Sequence, residues 1–169
     1  MVTYRRKTWV EAPFEEVWEF HSRIDGLEAL TPGFMHLEID RVTGPDGDTD
    51  PEVLEAGSRI EMSVRPFGVG QRRRIVSVIT DRTREGGAGS FRDVMEEGPF
   101  AEWAHTHRFF DDGDRTRLVD QVKYRLPGGP LGRAVSPLGR IGLAPMFRDR
   151  HRTTKQLLEG ERELPRDRP

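Results

Sequence analysis

Residues 98–127 carry the clearest alternation of apolar and polar positions in the chain. Trp103, His105, His107 and Phe109 alternate with Glu102, Ala104, Thr106 and Arg108. After a turn at Asp111–Asp114, Leu118, Asp120, Val122, Tyr124 and Leu126 alternate with Arg117, Val119, Gln121, Lys123 and Arg125. A period of two is the period of a strand, so the pattern predicts two strands joined by a tight hairpin. The second row stands opposite three basic residues and a glutamine, which makes its own face the buried one. With the Trp/His row turned the same way, His105, His107 and Asp120 share an apolar concavity. A polar group in such a place needs a partner or a task.

The rest of the chain reads as elements built around that hairpin. Val2–Val10 is a strand whose Arg5, Arg6 and Lys7 put one face in solvent. Ala12–Pro13 ends it and opens a helix with Phe14, Val17, Trp18 and His21 at helical spacing. A second short helix covers Ile24–Leu30 and stops before Pro32, because the residue preceding proline leaves the helical region. Phe34–Val42 is predicted as a strand, and Gly44–Gly57 as an exposed loop rich in Gly, Pro and Asp. Ser58–Arg65 points Ile60, Met62 and Val64 inward, Gln71–Asp81 follows, Gly86–Gly89 turns, and Phe91–Met95 is a short strand.

Beyond Pro127 the period changes from strand to helix. Pro127–Pro130 reads as a breaker, and Ser136–Pro137 as an N-cap followed by proline at the first helical position. Leu138, Ile141, Met146, Phe147, Leu157 and Leu158 form an imperfect helical stripe, which Pro145 is expected to kink or restart. The expected organisation is one domain over residues 1–160 and a frayed polar tail over 161–169.

Composition narrows the function classes. The chain has 169 residues, the length of a single domain with a real core. Its net charge of −2 gives no general pull toward nucleic acid or an anionic membrane. The absence of cysteine excludes disulfides, thiolate nucleophiles and Cys-based zinc sites, and fits a cytoplasmic location. No apolar run approaches the ~20 residues of a membrane span, and the N-terminus lacks a signal-peptide pattern. A soluble cytoplasmic protein with no nucleic-acid partner and no integral membrane contact is expected.

The element order carries a resemblance. It comes with Ala12–Pro13 before Val17–Trp18, Gly98–Pro99–Phe100, the alternating Trp103/His105/His107/Phe109 row and the Asp120/Val122/Tyr124/Leu126–Pro127 row. With these the chain resembles the START-like, or SRPBCC, superfamily, in its polyketide cyclase/dehydrase-like, ligand-binding branch. The resemblance implies an α+β helix-grip fold. In it a curved antiparallel sheet of about seven strands wraps around a long C-terminal helix, and two short helices follow the first strand. It also implies a deep cavity between sheet and helix for a lipid-, isoprenoid- or polyketide-like molecule, and requires no metal or cofactor.

Within that frame the expected ligand-binding residues are Met62, Phe100, Trp103, His105, His107, Asp120, Tyr124, Met146 and Phe147. Two histidines on one strand face can present imidazoles to a metal, with a third ligand from Asp120, His21 or His36. Hydrogen-bonded pocket histidines are the preferred reading, and no metal is expected. Asp120, an acid in an apolar row, is read first as a paired carboxylate, accepting from the hairpin partner or from Arg148 or Arg150. Arg72–Arg74 is read as a solvated face, because alternation splits the triplet between two faces. The favoured function is binding of a hydrophobic small molecule. The alternative is a cyclase, dehydratase or aromatase that uses His105, His107 and Asp120 as acid/base groups, with Tyr124 as a further candidate.

Overall fold

The computed structural model describes residues 1–160; the polar tail expected over 161–169 lies outside them. The strands are β1 (Val2–Val10), β2 (Glu38–Thr43), β3 (Arg59–Val64), β4 (Arg73–Glu85), β5 (Ala88–Glu97), β6 (Glu102–Asp112) and β7 (Arg115–Arg125). They form one sheet in the order β1-β7-β6-β5-β4-β3-β2, with every pair antiparallel. Two short helices, α1 (Phe14–His21) and α2 (Ile24–Leu30), follow β1. After β7 come α3 (Gly129–Val135), a 3-10 turn (Ser136–Gly139) and the long α4 (Arg140–Glu159). This is the α+β helix-grip arrangement.

The sheet needs a cover for its concave face, and α4 supplies it. Leu143, Phe147, His151, Thr154 and Leu158 recur at intervals of three and four, which places them on one side of the helix. That side follows β7 along its length. Leu143 and Phe147 pack on Val122 and Tyr124, His151 meets Asp120, and Leu158 rests against the cluster containing Leu118 and Phe109. At the sheet's other end α1 lays Trp18 edge-on over Phe91 and Phe109, with centroids 6.1 and 5.5 Å away. Gly89 makes that approach possible, since a Cβ there would lie 2.6 Å from the Trp18 ring.

Several boundaries differ from the sequence reading, each for a physical reason. The hairpin β4–β5 turns on Gly86–Gly87 alone, and β5 has ten residues instead of the expected five. Pairing on both edges carries the strand through the glycine-rich segment against its low propensity. The strand expected from Phe34 begins at Glu38, because Gly33–Met35 forms a 3-10 turn and His36 takes a left-handed conformation (φ 45°). The 44–57 loop is tied down at Leu54, which is buried and whose N–H donates to the Ser22 carbonyl at 2.8 Å.

At the C-terminal side, Pro130 opens α3 where a breaker was expected. Ser136 is not an N-cap but stands at the C-cap of α3, where its hydroxyl accepts from the Leu126 N–H and donates to the Gly132 carbonyl. The helix α4 runs through Pro145 without a restart. Of the expected stripe, Leu138, Ile141 and Leu157 are exposed, and Met146 is half-buried, as is Leu126 on the hairpin. On β1, Arg6 turns out half-buried on the concave side, opposite Asp120 in the ladder.

These environments separate two substitutions, one in α4 and one in the 3-10 turn before it. Phe147→Ala removes a side chain that is 1% exposed and is expected to cost about 3–5 kcal/mol in chemical denaturation. Leu138→Ala, at 62% exposure, is expected to stay within about 0.5 kcal/mol of wild type. Equal losses would mean that α4 does not cover the sheet as described.

Candidate functional site

The hairpin register dictates the centre of the site. His107 pairs with Asp120 across β6–β7, His105 stands two residues along the same face, and Asp93 on β5 pairs with His105. Asp120 is 1% exposed. One carboxylate oxygen accepts from His105 Nε2 at 2.8 Å, and the other accepts from His151 Nε2 at 2.5 Å. His107 Nδ1 also lies 2.8 Å from the first oxygen. His105 Nδ1 faces Asp93 at 3.6 Å, and Ser77 donates to the other Asp93 oxygen at 3.3 Å. His21, held by its contact with the Val17 carbonyl (2.7 Å), closes the group from α1 with its ring 6.2 Å from that of His107.

Burial and partners push these groups in different directions. Burial alone would raise the Asp120 carboxyl. The imidazole of His107 against it and the hydrogen bonds from His105 and His151 outweigh burial and hold it well below the usual carboxylate range. Asp93 is raised by burial, which His105, Ser77 and Arg150 offset only in part. Burial also lowers His107 well below its ordinary value, helped by His105. His21 is pushed down to about 4 by burial, against the pull of its Val17 contact. The Arg150 guanidinium is lowered by burial and steadied by Asp120 and Asp93. The result is an ionised carboxylate encircled by buried imidazoles.

The structure sorts the residues expected from the sequence into three places. His105, His107 and Asp120 form the polar centre. Phe100, Trp103, Tyr124, Met146 and Phe147 form one apolar cluster beside it, with the Phe147 ring 5.0 Å from that of His105. Met62 belongs to a separate cluster with Val42, Leu54, Ile60 and Ile79. Tyr124 spends its hydroxyl on the Ser136 carbonyl at 3.0 Å. His36 is exposed on a loop away from the centre. Among the described residues, the donor set with metal-like spacing is Asp93, His105 and His107, whose ligating atoms lie within 4.8 Å of one another. The third donor in that set is Asp93, where the sequence offered Asp120, His21 or His36.

Two members of the centre escaped the sequence reading. Asp120 pairs with His151, not with the neighbouring Arg148 or Arg150 of that helix. Four-residue spacing from Leu143 and Phe147 would have found it. Asp93 alternates with Phe91 and Met95, so strand periodicity already put it on the inner face. His151 also lines a cleft of about 510 Å³ between β1 and α4, beside Arg6, Thr8 and Arg148. A second cleft of about 370 Å³ lies at the far ends of β4, β5 and β6, near Thr83 and Phe110.

With a curved seven-stranded sheet, a gripping helix and a polar centre in place, the comparisons with known proteins agree. Residues 1–159 match the family described as "Polyketide cyclase / dehydrase and lipid transport". The chain belongs to that family. No curated protein matches the sequence. Among solved structures, norcoclaurine synthase from Thalictrum flavum, in complex with dopamine and hydroxybenzaldehyde, is similar at 18% identity and a TM-score of 0.61. The match covers 94% of this chain and 87% of that one. A protein from Chromobacterium violaceum matches at 15% identity and TM-score 0.66, covering 94% and 99%. A START superfamily protein from Mycobacterium smegmatis matches at 14% and 0.58, covering 94% and 97%. At these identities the likeness is one of fold. No helix among the described residues of this polyketide cyclase/dehydrase family member is long and apolar enough to cross a membrane.

The buried histidines predict a pH dependence of stability. An unfolded His21 titrates near 6.5, and the folded one at about 4. Between these values the unfolded chain takes up a proton that the folded chain refuses, so stability is full above about 6.5 and falls as pH drops toward 4. His107 acts in the same direction. Asp93 acts oppositely, its stabilisation being lost as pH rises through its elevated folded value. For His21 the loss is on the order of 3 kcal/mol. Urea denaturation at pH 7 and pH 4.5 should show it, and His21→Leu should remove that part of the drop. An unaltered pH profile in the variant would show that His21 is not the titrating group.

Proposed function

We propose that this protein binds an amphipathic small molecule between the β6–β7 hairpin and α4. The apolar part of the ligand would rest on Phe100, Trp103, Met146 and Phe147, and its polar group would meet the histidines around Asp120. The observation that carries this reading is the juxtaposition of half-buried Tyr4, Phe100, Trp103 and Met146 with the buried His–Asp centre. Apolar walls with a few fixed polar groups are the composition of a small-molecule site. The similarly folded norcoclaurine synthase, in complex with dopamine and hydroxybenzaldehyde, is in keeping with it. Met62, in its own cluster, would contribute only through the curvature of the sheet.

Matched probes test the reading. 1-Naphthol and naphthalene share an apolar body and differ by one hydroxyl. Both should quench Trp103 fluorescence in wild-type protein, and Asp120→Asn should weaken 1-naphthol by about tenfold or more while sparing naphthalene. Equal loss for both would assign Asp120 to the fold alone, and no response to either would remove the ligand-binding reading. Native mass spectrometry of the purified protein should reveal a co-purified small molecule.

One observation favours the catalytic alternative as a second reading. His151 is hydrogen-bonded to Asp120 through Nε2, has an unpartnered Nδ1, and lines the open cleft. A carboxylate that orients an imidazole whose other nitrogen is unused is the arrangement of a general base and its positioning group. In this reading Nδ1 removes a proton α to a substrate carbonyl and returns it to a departing hydroxyl, which leaves as water. Deuterium exchange α to the carbonyl of 1-tetralone, followed by NMR, should be accelerated by wild type and lost in His151→Gln with binding retained. No acceleration by wild type would leave binding as the sole reading.

A further inference from the structure

We propose that the cleft between β1 and α4 is an anion-binding site that takes the phosphate or carboxylate group of a small molecule. The inference rests on the cleft alone and does not require the apolar site. Arg148, Arg152, Lys155 and Glu159 follow one another at intervals of three and four on α4, so they form one stripe along the helix. From β1, Arg6 and Thr8 alternate onto the facing wall. Four cations thus line the cleft against one acid, Glu159, and Thr8 and Gln156 add neutral donors.

The charges in the cleft are not balanced from within. Arg152 pairs with Asp149, and Lys155 lies 3.6 Å from Glu159, which also accepts the Glu11 N–H at 2.8 Å. Among the described residues, Arg6 and Arg148 have no carboxylate partner. Asp120 faces Arg6 across the ladder, but its two oxygens are taken by His105 and His151. Arg6 Nε is buried without an acceptor, and Nδ1 of His151, whose Nε2 donates to Asp120, is buried without a partner. Buried donors are almost always paired, so the unpaired Arg6 Nε in the wall of a basic cleft points to an acceptor supplied by a ligand. An oxyanion satisfies it and can accept in parallel from the Arg6 guanidinium. A cleft of about 510 Å³ has room for more than a bare phosphate, so it can take an anion that is part of a larger molecule.

Calorimetric titration of the full chain with inorganic phosphate, decanoate and decan-1-ol tests this. Phosphate or decanoate is expected to bind, less tightly as salt is raised, and decan-1-ol more weakly than decanoate. Binding of phosphate alone assigns a phosphate group, and of decanoate alone a carboxylate. Arg6→Gln and Arg148→Gln should each lower anion affinity about tenfold, while Arg73→Gln, an exposed arginine elsewhere, should not. Thermal unfolding checks the variants; if Arg6→Gln does not fold, exposed Arg148, as Gln and as Glu, decides. The proposal is overturned if neither anion binds, if decan-1-ol matches decanoate, or if the cleft variants bind anions like wild type. Failure here with 1-naphthol still bound leaves the proposed function standing; the reverse pattern removes that reading and keeps this one.

Discussion

A single buried carboxylate organises this molecule. Asp120 is held in its charged form in a buried interior, which is costly unless every lone pair facing the protein is used. Its hydrogen bonds come from His105 on β6 and His151 on α4, while Asp120 itself stands on β7. The ion therefore ties the hairpin to the helix that covers it. Removing a partner leaves the charge exposed to low dielectric without compensation, which is why such centres tolerate little change.

Around that centre the packing is layered along α4. Aromatic contacts dominate one end, where Phe147 meets Tyr4 and His105, and the other, where Trp18 meets Phe91 and Phe109. The polar centre sits between two apolar clusters, so a group entering from the helix side passes from hydrophobic wall to imidazole within a few ångströms. His151 connects this interior to the outside, with one nitrogen on Asp120 and its side chain in the wall of the basic cleft. Binding of a polar group, proton transfer and anion capture would all use that connection. The family to which the chain belongs is described by both polyketide cyclase/dehydrase and lipid-transport activity.

The alternation in 102–126 made the hairpin, the inward row and the company of His105, His107 and Asp120 legible before any coordinates. So did the helical spacing of Phe14, Val17, Trp18 and His21, and the inward set Ile60, Met62 and Val64. Less legible were features in which pairing overrules local preference. The chain passes through Ala88–Gly89 as strand because neighbours on both sides satisfy its backbone. Pro145 stays within α4, close enough to its start that the rest of the helix still packs on the sheet.

The sequence by itself determined which residues could face inward, because the periods of strand and helix are local properties of the backbone. From that came the antiparallel hairpin, the covering helix and the suspicion attached to an acid in an apolar row. Only the tertiary structure decided who meets whom. Asp120 and His151 are 31 residues apart, and Asp93 reaches His105 through a strand register that the sequence does not state. Arg6, in a basic run that reads as solvent-facing, became part of a cleft because β1 pairs with β7 under the edge of α4. Contacts of this kind depend on the register between strands and the rotation of one helix, and both are set by global packing, not by neighbouring residues in the chain.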